Sequence, residues 1–129
     1  MSLEIQKIQP LDLPTIEEIG KICLPLYYSA VDLVSMIVDV NHYCLKVVAK
    51  DSKEIMGFVI AEFYDNNQKT ESKTGSRIHI KSLGVLPKYR RNGAARLLIN
   101  YLKFQKTKKV YDVLLLYGTI LCCKIFIIK

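Results

Sequence analysis

The sequence predicts one α/β domain: a mixed, mostly antiparallel sheet with helices on both faces. Three patterns predict it. Two segments near the start carry helix punctuation and helically spaced apolar residues. Two apolar runs of strand length flank a short polar turn, as in an antiparallel hairpin. A further apolar run leads directly into an amphipathic helix. At 129 residues with 50% hydrophobic side chains, the chain is long enough for a single core and too apolar to be disordered.

The elements follow in order. Leu3, Ile5 and Ile8 suggest a short first strand ended by Pro10. Asp12 then caps a helix over about 14–23, with Pro14 early and Glu17 and Glu18 in the opening turns. Pro25 stops it. Ser29 begins a second helix, with Asp32 three residues after the cap and Val31, Val34, Met36, Ile37 and Val38 packing inward. Residues 42–50 and 54–65 read as antiparallel strands joined by Asp51, Ser52 and Lys53. The polar stretch 65–76 is a loop. A fourth strand spans 77–86, a helix about 91–106, and a fifth strand begins near Val110.

The fourth strand is irregular. Ile78 and Ile80 share one parity, Leu83 and Val85 the other. A period of two puts both pairs on one face only if an extra residue intervenes, so a β-bulge is expected around residues 82–84. The alternative is a strand buried on both faces.

After that strand come Arg90, Arg91, Asn92, Gly93, Ala94 and Ala95, opening a helix whose Ala94, Leu97, Leu98, Tyr101 and Leu102 share a face. The first amides of a helix have no internal acceptor, and its dipole adds positive potential there. Gly93 and the small Ala95 allow close approach of a phosphate, and Arg90 and Arg91 add mobile charge. A pyrophosphate-bearing ligand is the natural occupant.

Residues 78–95 as a whole resemble the acetyl-CoA-binding motif of GNAT-type N-acetyltransferases. Their signature, Arg/Gln-x-x-Gly-x-Gly/Ala, is met by Arg90, Gly93 and Ala95. Within that superfamily the chain is most similar to catalytic subunits of protein N-terminal acetyltransferases. The run Cys23, Leu24, Pro25, Leu26, Tyr27, Tyr28 and the strand residues Met56, Gly57, Phe58 and Val59 also match them. The resemblance extends from about residue 3 to about 116. It implies a GNAT-like acyl-CoA N-acyltransferase fold that transfers acetyl from acetyl-CoA to the N-terminal α-amine of a protein or peptide.

The resemblance also implies roles. Backbone amides of Leu83 and Val85, with Gly84 between them, hold the pantetheine arm and thioester, while residues 90–95 hold the pyrophosphate. His79 is the candidate base, acting through water, at a position where relatives carry a Tyr or His. The other reading of His79 is a strand residue that only packs. Leu24, Pro25, Leu26 and Tyr28 match the loop that lines the peptide slot, or else simply join the helices. Glu62 is a candidate negative partner for the amine. His42 looks structural. No metal is expected.

The charge is +7, unevenly spread. Residues 1–40 hold six acids against Lys7 and Lys21, whereas residues 81–111 hold nine bases and no acid. A nucleic-acid footprint would want aromatic interleaving or a known motif, and neither is present. The phosphates of coenzyme A account for part of the block and a solvated helix face for the rest. Cys23, Cys44, Cys122 and Cys123 lack metal-ligand spacing and read as reduced thiols of a cytoplasmic protein. The start of the chain has no secretory pattern.

Past Tyr117 the likeness ends, dividing the chain into a core at 1–117 and an atypical apolar tail at 118–129. Leu116 stands where relatives carry a His or similar residue. Such a tail fits a gene-model error, a truncation completed by a second subunit, or a membrane tail. The eleven uncharged residues from 113 to 123 are well short of the roughly 20 that span a bilayer. Three functions are consistent with these features: an N-terminal acetyltransferase, with an auxiliary subunit or ribosome as possible partner; a lysine or small-amine acetyltransferase; or a non-catalytic binding module.

Overall fold

The computed structural model describes residues 2–64, 77–103 and 112–115, the last as backbone. Strand β1 (Leu3–Lys7) is followed by a 3₁₀ turn (Pro10–Asp12), helix α1 (Leu13–Cys23) and helix α2 (Ala30–Ile37). Strands β2 (His42–Ala49), β3 (Ile55–Tyr64) and β4 (Arg77–Val85) come next. A second 3₁₀ turn (Pro87–Tyr89), helix α3 (Ala94–Lys103) and strand β5 (Asp112–Leu115) complete the described chain. The sheet order is β1-β2-β3-β4-β5, antiparallel except for the parallel β4–β5 pair.

The two faces of the sheet bury separate apolar clusters. On one, α3 sets Ala94, Leu98, Ile99 and Leu102 against Val47, Val59, Ile80 and Leu83. On the other, α1 and α2 set Ile16, Ile19, Cys23 and Leu33 against Cys44, Phe58 and Ile60. Helices therefore cover both faces, as the sequence predicts.

The bulge is real but lies one residue earlier than expected. Ile60 pairs with Ser82 and Ala61 with Ile80, so Lys81 is the extra residue. It restores a common face to Ile78, Ile80, Leu83 and Val85, all buried in the α3-side cluster. A charged residue suits this position because a bulged side chain can leave the packed layer.

Three local expectations are corrected. Asp12 precedes α1 without capping it; its Oδ2 accepts from the Gln9 amide at 2.8 Å and from Lys46 Nζ at 2.6 Å. Ser29 does cap α2, accepting from the Asp32 amide, but the cap phases the helix so that Leu33 is its buried residue. Val31, Val34 and Val38 stay exposed, with Met36 and Ile37 half-buried. In α3, Ile99 replaces Leu97 and Tyr101 on the inner face, and residues 91–93 form a turn ahead of the helix.

Close backbone approach stabilises the β3–β4 junction. A Cβ on Gly57 would stand 2.5 Å from the Gly84 carbonyl oxygen, so only glycine fits there. Gly84 in turn lies against Cys23 of α1, where a Cβ would come within 3.2 Å of the Cys23 Cβ.

Candidate functional site

The segment joining β4 to α3 is the candidate anion cradle. Arg91 and Gly93 both have left-handed backbone, with φ of 71° and 83°. That reversal lifts the chain off the sheet and starts α3 at Ala94. The first helical bond runs from the Leu97 amide to the Gly93 carbonyl, so the amides of Ala94, Ala95 and Arg96 precede any intrahelical acceptor. The Cβ position of Gly93 opens into free space, and Arg91, Asn92 and Gly93 are exposed. Ala94 is buried, anchoring the cradle floor. Asn92 steadies the turn by donating from Nδ2 to the Tyr89 carbonyl at 3.2 Å.

Arg90 plays a different part from the mobile charge expected of it. Its Nε donates to the Val85 carbonyl at 2.8 Å, and its Nη2 lies 3.6 Å from Cys23 Sγ. Cys23 Sγ also donates to the Val85 carbonyl at 3.3 Å. Arg90 thus fastens the turn to the end of β4 and to α1, leaving Arg91 as the outward cation. The 3₁₀ turn is tied from the opposite side to the β2–β3 hairpin: Glu54 accepts from the Tyr89 hydroxyl and pairs with Lys88 at 3.4 Å. The Tyr89 hydroxyl and the Lys88 ammonium hold the Glu54 carboxyl below its usual range, and Glu54 raises the Tyr89 phenol.

The last part of β4 holds the residues expected to bind the thioester. Its described pairing with β5 ends at Ile80 opposite Leu115, and the strand runs on through Leu83, Gly84 and Val85. All three are buried.

His79 lies on the half-buried α1–α2 face of β4, directly opposite Glu62 of β3. On its other side Glu62 stands opposite His42 of β2. His42, Glu62 and His79 therefore form one cross-strand row. Lys81 reaches into it from the bulge, with Nζ 2.9 Å from His42 Nε2 and 3.3 Å from Glu62 Oε1. An ammonium only donates, so His42 Nε2 accepts and Nδ1–H donates to Asp39 Oδ2 at 2.7 Å. The Asn41 amide, with His42 second, holds the Asp39 carboxyl below its usual range.

Sequence reasoning named Glu62 but missed the roles of Asp39, His42 and Lys81. One signal was present: counting back from a turn centred on Ser52 sets residue 42 opposite 62. The bulge residue was not legible, because parity requires an insertion without fixing its position.

The loop between α1 and α2 divides by burial. Leu24 is core, packed with Cys23 and Leu33, whereas Leu26 is 87% exposed beside exposed Pro25. Tyr28 is half-buried against the α1–α2 cluster. Tyr27 is 43% exposed, with Lys21 Nζ 5.9 Å from its ring centroid. Leu26 is thus the leucine of this loop at the surface. Tyr117, Leu116 and the tail at 118–129 lie outside the described residues.

The family model for the acetyltransferase (GNAT) family matches residues 15–114. This chain belongs to the GNAT family. Among solved structures, it is similar to Arabidopsis thaliana NAA60 in complex with a bisubstrate analogue, at 25% identity and TM-score 0.65. That match covers 78% of this chain and 64% of the other; an NAA60 complex with acetyl-CoA gives 24%, TM-score 0.67, and 79% and 66%. The GNAT chain therefore spans about two thirds or slightly less of those relatives' length. It also shares its fold with the aminoglycoside 6'-N-acetyltransferase AAC(6')-Ih of Acinetobacter baumannii, at 18% identity and TM-score 0.68, covering 90% of this chain and 80% of that one. No match was found among curated proteins. No helix among the described residues of this GNAT chain is long and apolar enough to cross a membrane.

Proposed function

We propose that the chain transfers the acetyl group of acetyl-CoA to the N-terminal α-amine of a protein or peptide. The observation that carries this reading is the junction of β4 and α3. A left-handed turn at Arg91 and Gly93 bares the first helix amides beside a strand end built of Leu83, Gly84 and Val85. The cradle suits the pyrophosphate: amides, an outward Arg91 and an open Gly93 offer charge and room. Likeness to an NAA60 structure holding a bisubstrate analogue supports a site where donor and acceptor meet in one complex.

In this reading acetyl-CoA is bound by residues 90–95 and by the backbone of residues 83–85. Amides at that strand end stabilise the negative charge that develops on the thioester oxygen. His79, through a water, takes the proton that the attacking amine must lose. The new C–N bond forms as the C–S bond breaks, and the departing thiolate gains one proton to leave as coenzyme A. Leu26 and Tyr28, with Pro25 between the helices, border the acceptor, and Leu24 buttresses them from the core. In this reading the core at 1–117 acts in the cytoplasm, with a ribosome or auxiliary subunit as its partner.

Acetylation of matched peptides with free and blocked N-termini, each containing an internal lysine, tests the assignment. Product on the free α-amine alone supports it; product on lysine in the blocked peptide replaces it with side-chain acetylation. His79→Ala that leaves rate and pH–rate profile unchanged removes His79 as the base.

A further inference from the structure

Lys81 is the residue that makes β4 irregular, and its side chain is held by more partners than a bulged surface lysine needs. A bulge leaves its extra residue unpaired in the ladder, so contacts of that side chain add a hold the backbone lacks. Here the ammonium crosses β3 to Glu62 on that strand and to His42 on β2, with Asp39 behind His42. The side chains of Lys81 and Glu62 are each 22% exposed and that of His42 is 7% exposed. Contacts in such a setting are stronger than those of solvated pairs.

We propose that Lys81 is a positioning residue: its ammonium, tethered to Glu62 and His42, stakes the bulge that sets the backbone of residues 82–85, and the stake loosens when His42 Nε2 takes up a proton. Beyond the bulge come Leu83 and Val85, whose register with Val59 and Gly57 requires an extra residue ahead of them. Loss of the bulge would turn both side chains out of the α3-side core and rotate their amides with them. The link to acetyl-CoA rests on the function proposed above; the staking of β4 does not.

The proton dependence follows from donor and acceptor inventory. Neutral His42 offers one lone pair, at Nε2, to an ammonium that can only donate. A protonated imidazole has no lone pair, faces Lys81 as a like charge and competes for Glu62 Oε1, 3.9 Å away. The charged groups facing it are Asp39 from the turn before β2, Glu62 from β3 and Lys81 from β4, with His79 across Glu62. Of the acids on the covering helices, Glu17 accepts from the Ala30 amide, Asp32 accepts from the Ser29 hydroxyl, and Glu18 is exposed. The hold therefore requires the lone pair of His42 Nε2.

Hydrogen exchange by mass spectrometry on the full chain, between about pH 5 and 8 where imidazoles titrate, reads the stake without any ligand. Lys81→Met keeps the stem and removes the charge. It is expected to speed exchange of the amides at 82–85 on the order of tenfold, the loss of a charge-assisted bond. After correction for intrinsic exchange, the wild type should lose protection there as pH falls. His42→Gln, which retains an acceptor but cannot titrate, should remove that pH dependence, and ethylammonium should restore protection to Lys81→Ala. Wild-type protection at 82–85 in Lys81→Met, or an unaltered pH profile in His42→Gln, overturns the proposal.

Calorimetry with acetyl-CoA separates the two readings. A chain that shows the exchange effects but binds no acetyl-CoA defeats the cofactor assignment and leaves the stake standing. Unchanged exchange with intact binding does the reverse. Lys50→Met, an exposed lysine after β2, controls for loss of charge.

Discussion

Arg90 turns back on its own strand: its Nε donates to the carbonyl of Val85, five residues earlier, at 2.8 Å. The motif arginine is thereby a structural fastener, and the residue beside it is an exposed cation. Arg91 is exposed, with left-handed backbone that sets its side chain on the outer side of the turn.

The two arginines should consequently respond differently to substitution. Arg90→Ala removes a part-buried, charge-assisted bond and should lower unfolding free energy by about 1–2 kcal/mol. Arg91→Glu should leave stability within about 0.5 kcal/mol of wild type, as surface changes usually do, while abolishing saturable acetyl-CoA binding. Urea unfolding and calorimetry on the same two variants check both halves. Equal destabilisation by both would deny the division of labour.

Gly57→Ala tests the backbone contact beneath the site. The added methyl would meet the Gly84 carbonyl oxygen at 2.5 Å and Val85 Cγ2 at 3.0 Å. Backbone in a central strand cannot give way as a flexible side chain can. The expected loss is about 3 kcal/mol or more, read as a lower urea midpoint. Gly93→Ala meets no atom within 4 Å and should cost only its left-handed conformation, about 1 kcal/mol.

What the sequence made legible was whatever a local rule controls. The Ser29 cap and the hairpin at residues 51–53 each follow from one or two residues, whereas the turn at 91–93 stands where the helix was expected to have begun. The faces of α2 and α3 were misread in part because apolar residues nearly encircle both segments, so Leu33 and Ile99 were settled by packing. Asp12 fits the rule for a helix cap, yet Lys46, 34 residues away, claims its carboxylate. The Asp39–His42–Lys81 chain links three elements through one bulge. Its position depends on registry between strands and cannot be read within any one of them.

Asp39 gives the acid limb of stability a specific origin. Its carboxyl is held below the usual range by the Asn41 amide and by His42. A group depressed in the fold stabilises above its unfolded value, about pH 4, and that contribution is lost as pH falls through the lower folded value. Asp39→Asn should therefore flatten the fall in stability below about pH 4 relative to wild type. Urea midpoints measured across that interval provide the comparison, and an unchanged slope would assign the limb to other carboxylates.

Cys44 should be chemically silent in the folded chain. It lies inside β2 against the α1–α2 cluster, and burial pushes its thiol up to about 12, with Lys81 pulling it down and Asp39 pushing it up. Because the folded value is raised above the ordinary thiol value, about 8.5, the proton is retained where an unfolded chain would release it. Its contribution to stability is complete below about pH 8.5 and declines as pH rises toward 12. Alkylation requires the thiolate and access to it, and the fold withholds both. Iodoacetamide near pH 8 should leave Cys44 unmodified over a time that labels it fully in urea, as read by peptide mass spectrometry. Rapid native labelling would mean that β2 opens locally, and the row that His42 shares with Glu62 and His79 would open with it.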